Sequence, residues 1–483
     1  MLLTYKSISP IDSMNSNYLL ISKITRSYFV MGLILYPIIL FYWLDSFNYY
    51  NLLNIASWLT YAYLLWSCVN KDESYFTPRR LTLTVLVYTS IFVMLYLQMS
   101  FYYTGNIFLF SELDARVYYA LASRMKDMGF VDAINYVSQR WKYDDWGAPM
   151  TLAFLMKIVP YKAFVNFVYI MMNCICVLCL FDIGQKIGMT RKYSYMGALT
   201  YGIASYGIFF MGSFLKEDIL LFLVIISFFL LYQYKSKQNL LYLAGGGFSS
   251  LLIIFFRVPI ALFVWVAYAT LLLFDGRSHV KKALFFFLFF VVGIMGAGLV
   301  LYSSSRYANS GNVTQSYSYV TTTLFQKLTS TAGALIGPFP TLFQISTVKF
   351  TSKPMFGAGL LFKFLLFFPF WKGLVYCLKS RAVEIYPLFL FVVIEMAGLC
   401  IVFDGLELRK AIPHLAFFIL AAFWYMDRFD RDTDEGIRAT PYYYWTYMGM
   451  RISIIAVFVL TLTWNVLLRI PGVQHIIMFS TDQ

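Results

Sequence analysis

The fold is decided by stretches such as Leu81–Phe101, LTLTVLVYTSIFVMLYLQMSF, which contains no charged residue. An apolar helix of about 20 residues is long enough to cross the hydrocarbon core of a bilayer, which is about 30 Å thick. Comparable runs recur from Tyr28 to Leu467, and 60% of the 483 residues are hydrophobic. Only 13% are charged, whereas a soluble domain has about 25%. The sequence therefore predicts an all-α polytopic integral membrane protein and excludes an ordinary soluble one.

The apolar runs predict about 13 transmembrane helices. They lie near residues 28–44, 52–69, 81–101, 163–181, 193–211, 219–234, 240–256, 258–274, 283–302, 355–376, 383–403, 411–426 and 447–467. Residues 240–274 are divided into two helices because Pro259 interrupts the run. The apolar stretch Ala148–Val159 is too short to cross and is expected to be interfacial or re-entrant.

This pattern divides the chain into three membrane regions and two long loops. The three membrane regions are 1–101, the N-terminal tail and three helices; 163–302, the central helices; and 355–483, the C-terminal helices. The two loops are 102–162, an acidic loop with short interfacial helices, and 303–354, a second long loop.

The distribution of cations predicts the orientation in the membrane. With a cytoplasmic N-terminus, every cytoplasmic segment has at least two lysines or arginines, and together these segments hold more than half of the 38. The short outer turn 45–51 has none, as the positive-inside rule requires. Both long loops then lie outside the cytoplasm, so any built pocket is expected on the extracytoplasmic face.

The formal net charge of +14 does not indicate a nucleic-acid partner, because the cations are scattered between apolar runs and form no block of five to eight. Cys174, Cys176 and Cys179 have a spacing that is typical of metal ligands. A zinc site needs further His or Cys partners and none is near, so we expect these cysteines to be buried packing residues.

The first outer loop places Glu112 and Asp114 just beyond the third span. From Asp114, apolar residues at helical spacing that include Tyr118 predict an amphipathic helix lying on the membrane. An acid at the edge of a lipid-facing pocket can act as a general base towards a hydroxyl. The two acids could instead only favour the helix dipole. They could also hold a divalent ion, although two acids alone do not make a metal site, and no cofactor is certain.

Aromatic and acidic residues alternate before the short apolar stretch, in Arg140–Pro149. Trp141 and Trp146 could stack on sugar rings, and Asp144 and Asp145 could bind sugar hydroxyls. The same residues could equally form an interfacial aromatic anchor.

Cations precede two of the central spans. Lys216 and Glu217 open the span at 219–234, where a cation beside free helix N–H groups would form an anion site, most naturally for phosphate. Arg257 lies at the outer end of two apolar spans, where an arginine without a partner is costly. Either it snorkels to the interface, or its planar fork holds a phosphate.

A second group of ionic residues lies near the twelfth span. Arg409 and Lys410 stand at its mouth, and His414 follows them. A lone His is more often a hydrogen-bonding residue than a base. Glu395, within the eleventh span, is the clearest acid at the depth of the membrane midplane.

Several motifs of residues 100–425, taken in their order along the chain and on one predicted side of the membrane, resemble those of one broad family. They are the Asp-x-x-x-Tyr of the acidic loop, Leu-Lys-Glu at 215–217, Arg-x-Pro at 257–259, Gly-Pro-Phe-Pro at 337–340 and a late arginine before a proline. The family is the bacterial GT-C-type membrane glycosyltransferases, to which Wzy-type O-antigen or capsule repeat-unit polymerases are similar.

The resemblance implies a GT-C-like fold in the inner (cytoplasmic) membrane of a bacterium. It implies a polyprenyl-phosphate or polyprenyl-diphosphate sugar donor and a glycan or lipid-linked acceptor, in cell-surface polysaccharide assembly. Asp114 would be the base, assisted by Glu112. Lys216, Arg257 and Arg409, with their neighbours Glu217 and Lys410, would form the phosphate site.

The acceptor or sugar would be contacted by residues of the acidic loop, namely Tyr118, Trp141, Asp144, Asp145 and Trp146. The sequence differs from many GT-C enzymes, because two spans precede its acidic loop where they have only one. It also lacks the large soluble C-terminal domain that some protein-glycosylating relatives carry, which favours a lipid-linked or glycan acceptor. Three other functions remain open: repeat-unit polymerisation, transport by a lipid-linked oligosaccharide flippase or another transporter, and a structural or sensory role in the membrane. Transporters place charged residues at the membrane midplane, which is the depth predicted for Glu395.

Overall fold

A computed structural model describes residues 20–42, 48–111, 114–139, 145–273, 340–344, 350–402, 408–434 and 441–470. Within these ranges the chain consists of helices and their connections and contains no strand. The all-α prediction is therefore confirmed for the described residues. The predicted span 283–302 and most of the second long loop lie outside them.

The described helices are numbered here α1 to α16 in chain order. They are α1 Leu20–Tyr42, α2 Tyr49–Val69, α3 Pro78–Thr104, α4 Asp114–Met125, α5 Phe130–Ser138, α6 Gly147–Ile158, α7 Lys162–Lys186, α8 Arg191–Gly202, α9 Ser205–Ser213, α10 Glu217–Lys237, α11 Leu240–Leu252, α12 Val258–Leu273, α13 Lys353–Ser380, α14 Tyr386–Val402, α15 Leu408–Asp434 and α16 Pro441–Leu467.

Six of these helices are long and apolar enough to cross a membrane, judged by length and composition among the described residues. They are α2, α3, α7, α10, α13 and α16. This supports a membrane-embedded helical protein, while the count of 13 spans and the orientation remain predictions. The predicted span 193–211 is interrupted: Ile203 and Ala204 separate α8 from α9.

The long helices run back and forth between two ends of the bundle. At one end, called here the loop end because α4, α5 and α6 lie there, the Tyr103 hydroxyl at the end of α3 accepts a hydrogen bond from the Tyr49 N–H at 3.1 Å. At the opposite end, the Asp430 carboxylate accepts one from the Leu20 N–H at 3.2 Å. These contacts place the start of α2 at the loop end and the start of α1 and the end of α15 at the opposite end.

Local sequence signals fix several helix ends. The Thr77 hydroxyl accepts the Arg80 N–H at 3.3 Å, and Pro78 occupies the first turn, where its missing N–H costs nothing. At the other end of α3, Gly105 adopts a left-handed conformation (φ 64°) that a glycine adopts without strain.

Helix α15 is the centre of the bundle. It packs on α8, α13 and α14, and its side chains from Ile412 to Met426 are buried without interruption. A helix that is buried all round must present apolar side chains to every neighbour. The charged segment Asp427–Asp434 continues this helix beyond the predicted span 411–426, because Asp427 and Asp430 accept hydrogen bonds from Thr190, which precedes α8, and from Leu20 of α1.

Candidate functional site

Helix α4 carries the first of the predicted site residues. It begins at Asp114, as predicted, and its buried face contains Tyr118, Leu121, Ala122 and Met125, the residues whose spacing predicted an amphipathic helix. This face packs against α6. Asp114 is half-buried and lies one turn before Tyr118, so the two side chains are on the same side of the helix.

Asp145 links α4 to the start of α10. Its carboxylate accepts a hydrogen bond from the Tyr118 hydroxyl at 3.4 Å and forms an ion pair with Lys216. The Asp145 side chain is 20% exposed and that of Lys216 is 11% exposed. Residues 118, 145 and 216, which are far apart in the sequence, therefore meet at the loop end.

A second ion pair follows directly. Glu217, the first residue of α10, faces Arg257 at 3.5 Å, and the Glu217 side chain is fully buried while that of Arg257 is 21% exposed. Arg257 lies in the turn between α11 and α12, where its N–H donates to the Ile253 carbonyl at 2.8 Å. An arginine at the end of two apolar spans needs a partner, and for Arg257 this partner is a carboxylate of the chain itself.

A close contact joins these two pairs. A Cβ added to Gly147, the first residue of α6, would lie 2.5 Å from the Phe256 ring. The backbone two residues after Asp145 therefore touches the side chain that precedes Arg257. Lys216 and Glu217 are consecutive in the chain, so both ion pairs belong to one cluster, called here the ionic cluster: Asp145, Lys216, Glu217 and Arg257.

The backbone around the ionic cluster is strained. Leu109, Phe110 and Phe214 have φ values of 50°, 62° and 61°, in the left-handed region that non-glycine residues rarely adopt. A Cβ on Gly212 would lie 2.1 Å from the Leu109 side chain, so the strained segments are in contact. Such conformations cost about 1–3 kcal/mol each and are concentrated at functional sites.

An aromatic group supports the turn that carries Lys216. The Phe214 ring lies 6.0 Å from that of Phe108 and 6.2 Å from that of Tyr119, and the Lys162 ammonium lies 4.6 Å above the Phe214 ring. The same ammonium is 3.5 Å from the Gly212 carbonyl. Packing of this kind limits the movement of the turn and so holds Lys216 and Glu217 in place.

A second set of ionisable residues lies within the bundle, called here the buried triad: Lys363 of α13, Glu395 of α14 and His414 of α15. All three are at most 2% exposed, and the His414 Nδ1 lies 3.6 Å from a Glu395 carboxylate oxygen. The three residues come from adjacent helices, because α13 and α14 both pack against α15.

The remaining predicted residues are only partly accounted for. Glu112, Trp141 and Asp144 lie outside the described residues, as do the side chains of Arg409 and Lys410, whose backbone forms the first turn of α15. Trp146 is half-buried immediately before α6. Within the described ranges, no three His, Cys, Asp or Glu residues are grouped as metal ligands.

The sequence interpretation missed Lys363. A lone lysine in the apolar run Leu360–Phe368 is a signal that could have identified it, since an ionisable residue within a span is rare without a role. It also missed that Asp145 would pair with Lys216, because nothing in the sequence links residues 71 positions apart.

The comparisons with known proteins give no family for this chain. No protein-family model matches the sequence, and no curated protein matches it.

Chemically, the ionic cluster combines two cations and two carboxylates at the loop end of a helical bundle, and the Tyr118 phenol donates a hydrogen bond to one of the carboxylates. A primary ammonium and a guanidinium can both bind phosphate oxygens, and a guanidinium can do so with two hydrogen bonds. A neighbouring carboxylate can accept a proton.

Proposed function

We propose that this protein is a membrane glycosyltransferase that uses a polyprenyl-(di)phosphate-linked sugar as donor. The observation that carries the proposal is the convergence of Asp145, Lys216, Glu217 and Arg257, with Tyr118 and the Asp114 helix packed beside them. A lipid-linked sugar phosphate needs cations for its phosphate, a base for the acceptor hydroxyl and access from lipid. The resemblance of the sequence motifs to GT-C-type enzymes supports the same reaction.

In the proposed reaction, Asp114 accepts the proton of the acceptor hydroxyl as the hydroxyl oxygen bonds to the anomeric carbon. The bond between that carbon and the phosphate oxygen breaks, and its electron pair leaves with the lipid (di)phosphate. Lys216 and Arg257 neutralise the leaving anion, which therefore needs no acid catalyst. This differs from the two-carboxylate arrangement of glycoside hydrolases.

The two ion pairs are compatible with a binding site for an anionic substrate. With no donor bound, Asp145 and Glu217 satisfy Lys216 and Arg257, so no cation is left unpaired in a low-dielectric environment. The Asp145–Lys216 pair is partly exposed, and a donor phosphate can replace Asp145 on the ammonium. The acceptor and the active face are proposed to lie outside the cytoplasm, as the cation distribution predicts.

The direct test incubates the purified protein with a panel of polyprenyl-phosphate and polyprenyl-diphosphate sugars and follows release of the lipid phosphate. Asp114→Asn is expected to lower the rate by roughly 10²- to 10⁴-fold, the usual contribution of a general base. Arg257→Lys keeps the charge but loses the planar fork, and it should also lower the rate. Asp132→Asn, which changes an exposed acid in the first turn of α5, serves as the matched control.

Two results would refute the proposal. One is that no lipid-linked sugar in the panel is turned over by protein that elutes as a folded species. The other is that Asp114→Asn and Arg257→Lys turn over the donor as fast as Asp132→Asn does. Elongation of a repeat-unit oligosaccharide, rather than addition of one sugar, would identify the Wzy-type polymerase reaction.

The buried triad favours a second candidate, a flippase or another transporter of lipid-linked oligosaccharide. Ionisable residues within a span mark substrate or ion pathways, and Glu395 and His414 face each other in the interior. Transport would be measured as movement of a labelled lipid-linked sugar across proteoliposome membranes without cleavage of the sugar–phosphate bond. Transport that is abolished by Glu395→Gln and unaffected by Asp114→Asn would favour this candidate over the transferase.

A further inference from the structure

A basic groove lies at the opposite end of the bundle from the ionic cluster. It runs between the first turns of α1 and the first half of α16 and has a volume of about 430 Å³. Three cations line it, Lys23 and Arg26 from α1 and Arg451 from α16, together with the hydroxyls of Ser22 and Ser27. The donors of two helices therefore face the same space.

Among the described residues, no acid pairs with the cations of this groove. None of the salt bridges within the described parts of the chain involves Lys23, Arg26 or Arg451. The Lys23 ammonium lies 3.5 Å above the Tyr447 ring, and the Arg451 guanidinium lies 5.3 Å from the centre of the same ring. Burial, followed by the charges of Arg451 and Arg26, lowers the pKa of Lys23 to about 8.

Membrane topology alone does not explain this arrangement. The positive-inside rule requires cations near the cytoplasmic ends of spans, but cations that serve only topology can spread apart into water. Here Lys23 and Arg451 lie over the same Tyr447 ring and line one groove with Arg26, so the charges of both arginines act on Lys23. Such repulsion is relieved when an anion with several acceptor oxygens occupies the groove.

The surface next to the groove is apolar and continuous with it. On α1, Val30 lies one turn beyond Arg26 and is 41% exposed. On α16, Ile455 and Val459 lie one and two turns beyond Arg451 and are 62% and 51% exposed. Residues at this spacing form one stripe along each helix. A ligand that fits the whole feature has an anionic head and a long apolar tail.

We propose that this groove binds the phosphate headgroup of an anionic phospholipid, with its acyl chains along the stripes of α1 and α16. Lys23, Arg26 and Arg451 contact the phosphate oxygens, and the serine hydroxyls donate to the rest of the headgroup. Basic pockets between membrane helices are a known way to recognise anionic lipids. The site is separate from the ionic cluster and does not depend on the proposed sugar transfer.

The test measures lipid binding to the purified full-length protein in a non-ionic detergent by native mass spectrometry. Phosphatidylglycerol and phosphatidylcholine are titrated separately, and inorganic phosphate is added as a competitor. The variants are Arg26→Gln with Arg451→Gln and, as the matched control, Arg79→Gln, an exposed arginine at the same end of the bundle on α3.

We expect the wild type to bind phosphatidylglycerol in preference to phosphatidylcholine. Each arginine contributes roughly fivefold, so the double variant should bind phosphatidylglycerol about 25-fold more weakly while Arg79→Gln is unchanged. Both arginines are exposed, which makes the substitutions compatible with folding. The single variant Arg451→Gln, with a loss of roughly fivefold, provides the same test if the double variant does not elute as the wild type does.

Equal binding of the two lipids by the wild type would overturn the proposal, as would an unchanged affinity in the folded double or single variant. Inorganic phosphate that displaces phosphatidylglycerol at a similar concentration would also overturn it, because the groove would then be a site for small anions and not for a lipid. Retention of phosphatidylglycerol in the presence of phosphate supports the lipid assignment.

Discussion

The contact between Gly147 and Phe256 gives the sharpest prediction, because it joins the acidic loop to the turn that holds Arg257. In Gly147→Ala, the new Cβ would lie 2.5 Å from two carbons of the Phe256 ring, whereas carbon atoms pack at about 3.5–4.0 Å. Phe256 is 5% exposed, so its ring cannot simply turn into solvent or lipid. The ring or the start of α6 must move.

The size of the effect follows from two opposing terms. Overpacking of a well-packed interior costs about 1–3 kcal/mol. Alanine gains up to about 1 kcal/mol over glycine in a helix interior, but Gly147 is the first residue of α6, where this gain is small. Gly147→Ala is therefore expected to destabilise the protein by about 1–2 kcal/mol, and displacement of the turn should also slow the proposed reaction.

The assay is unfolding by SDS in mixed micelles, followed by circular dichroism. The matched control is Gly247→Ala in the middle of α11, where a Cβ has open space within 4 Å. The control should stabilise the protein slightly because only the helix-propensity term acts. If Gly147→Ala unfolds at the same SDS concentration as the wild type or at a higher one, the close approach of α6 to the Arg257 turn is refuted.

The remaining predictions concern charges, and each uses the same unfolding assay. Arg257→Ala should destabilise the protein by about 3 kcal/mol because it removes the ion pair of buried Glu217. The double variant Arg257→Ala with Glu217→Gln should lose less stability than the two single variants added together; additive losses would show that the two residues do not interact. Asp427→Ala removes the acceptor of two hydrogen bonds from Thr190, the residue before α8, and should cost about 2 kcal/mol; no loss would show that this end of α15 is not fastened to the start of α8. Glu395→Ala should cost about 3–5 kcal/mol because it removes the acid that faces His414 at 3.6 Å in the buried interior; an unchanged unfolding midpoint would contradict that contact.

The positions of the helices were largely predictable, because a bilayer imposes length and apolarity on each span. Their ends were not. Helix α1 begins at Leu20 rather than near residue 28, and α15 continues to Asp434, because polar residues outside the apolar core continue the helical hydrogen bonding. The break between α8 and α9 was also missed: Gly202 packs against Val177 and Val85 so closely that a Cβ would clash, and the sequence does not reveal that contact.

The candidate site was predictable in its residue types and not in its pairing. A cation at the start of α10 and an arginine before Pro259 indicated an anion site, and both residues do lie at the loop end with Asp145. That Glu217 would be fully buried against Arg257 depends on how α10, α11 and α12 pack. Tertiary packing of this kind leaves no periodic signal in the chain.

The contacts of the buried triad were likewise not predictable from the sequence. Glu395 and His414 were each recognisable as ionisable residues in or near an apolar run, but their separation of 3.6 Å is set by the packing of α14 on α15. Lys363, on a third helix, joins them only because α13 also packs on α15.

The proposed site depends most directly on the contact between the acidic loop and the start of α10. Cross-linking tests it: cysteines replace Asp145 and Lys216, the protein in native membranes is treated with a short bis-maleimide, and linked peptides are identified by mass spectrometry. A control pair combines the cysteine at 145 with one at Lys186, which ends α7 at the far side of the bundle. We expect a cross-link between 145 and 216 and none between 145 and 186. Absence of the first, or equal yields of both, would contradict this contact.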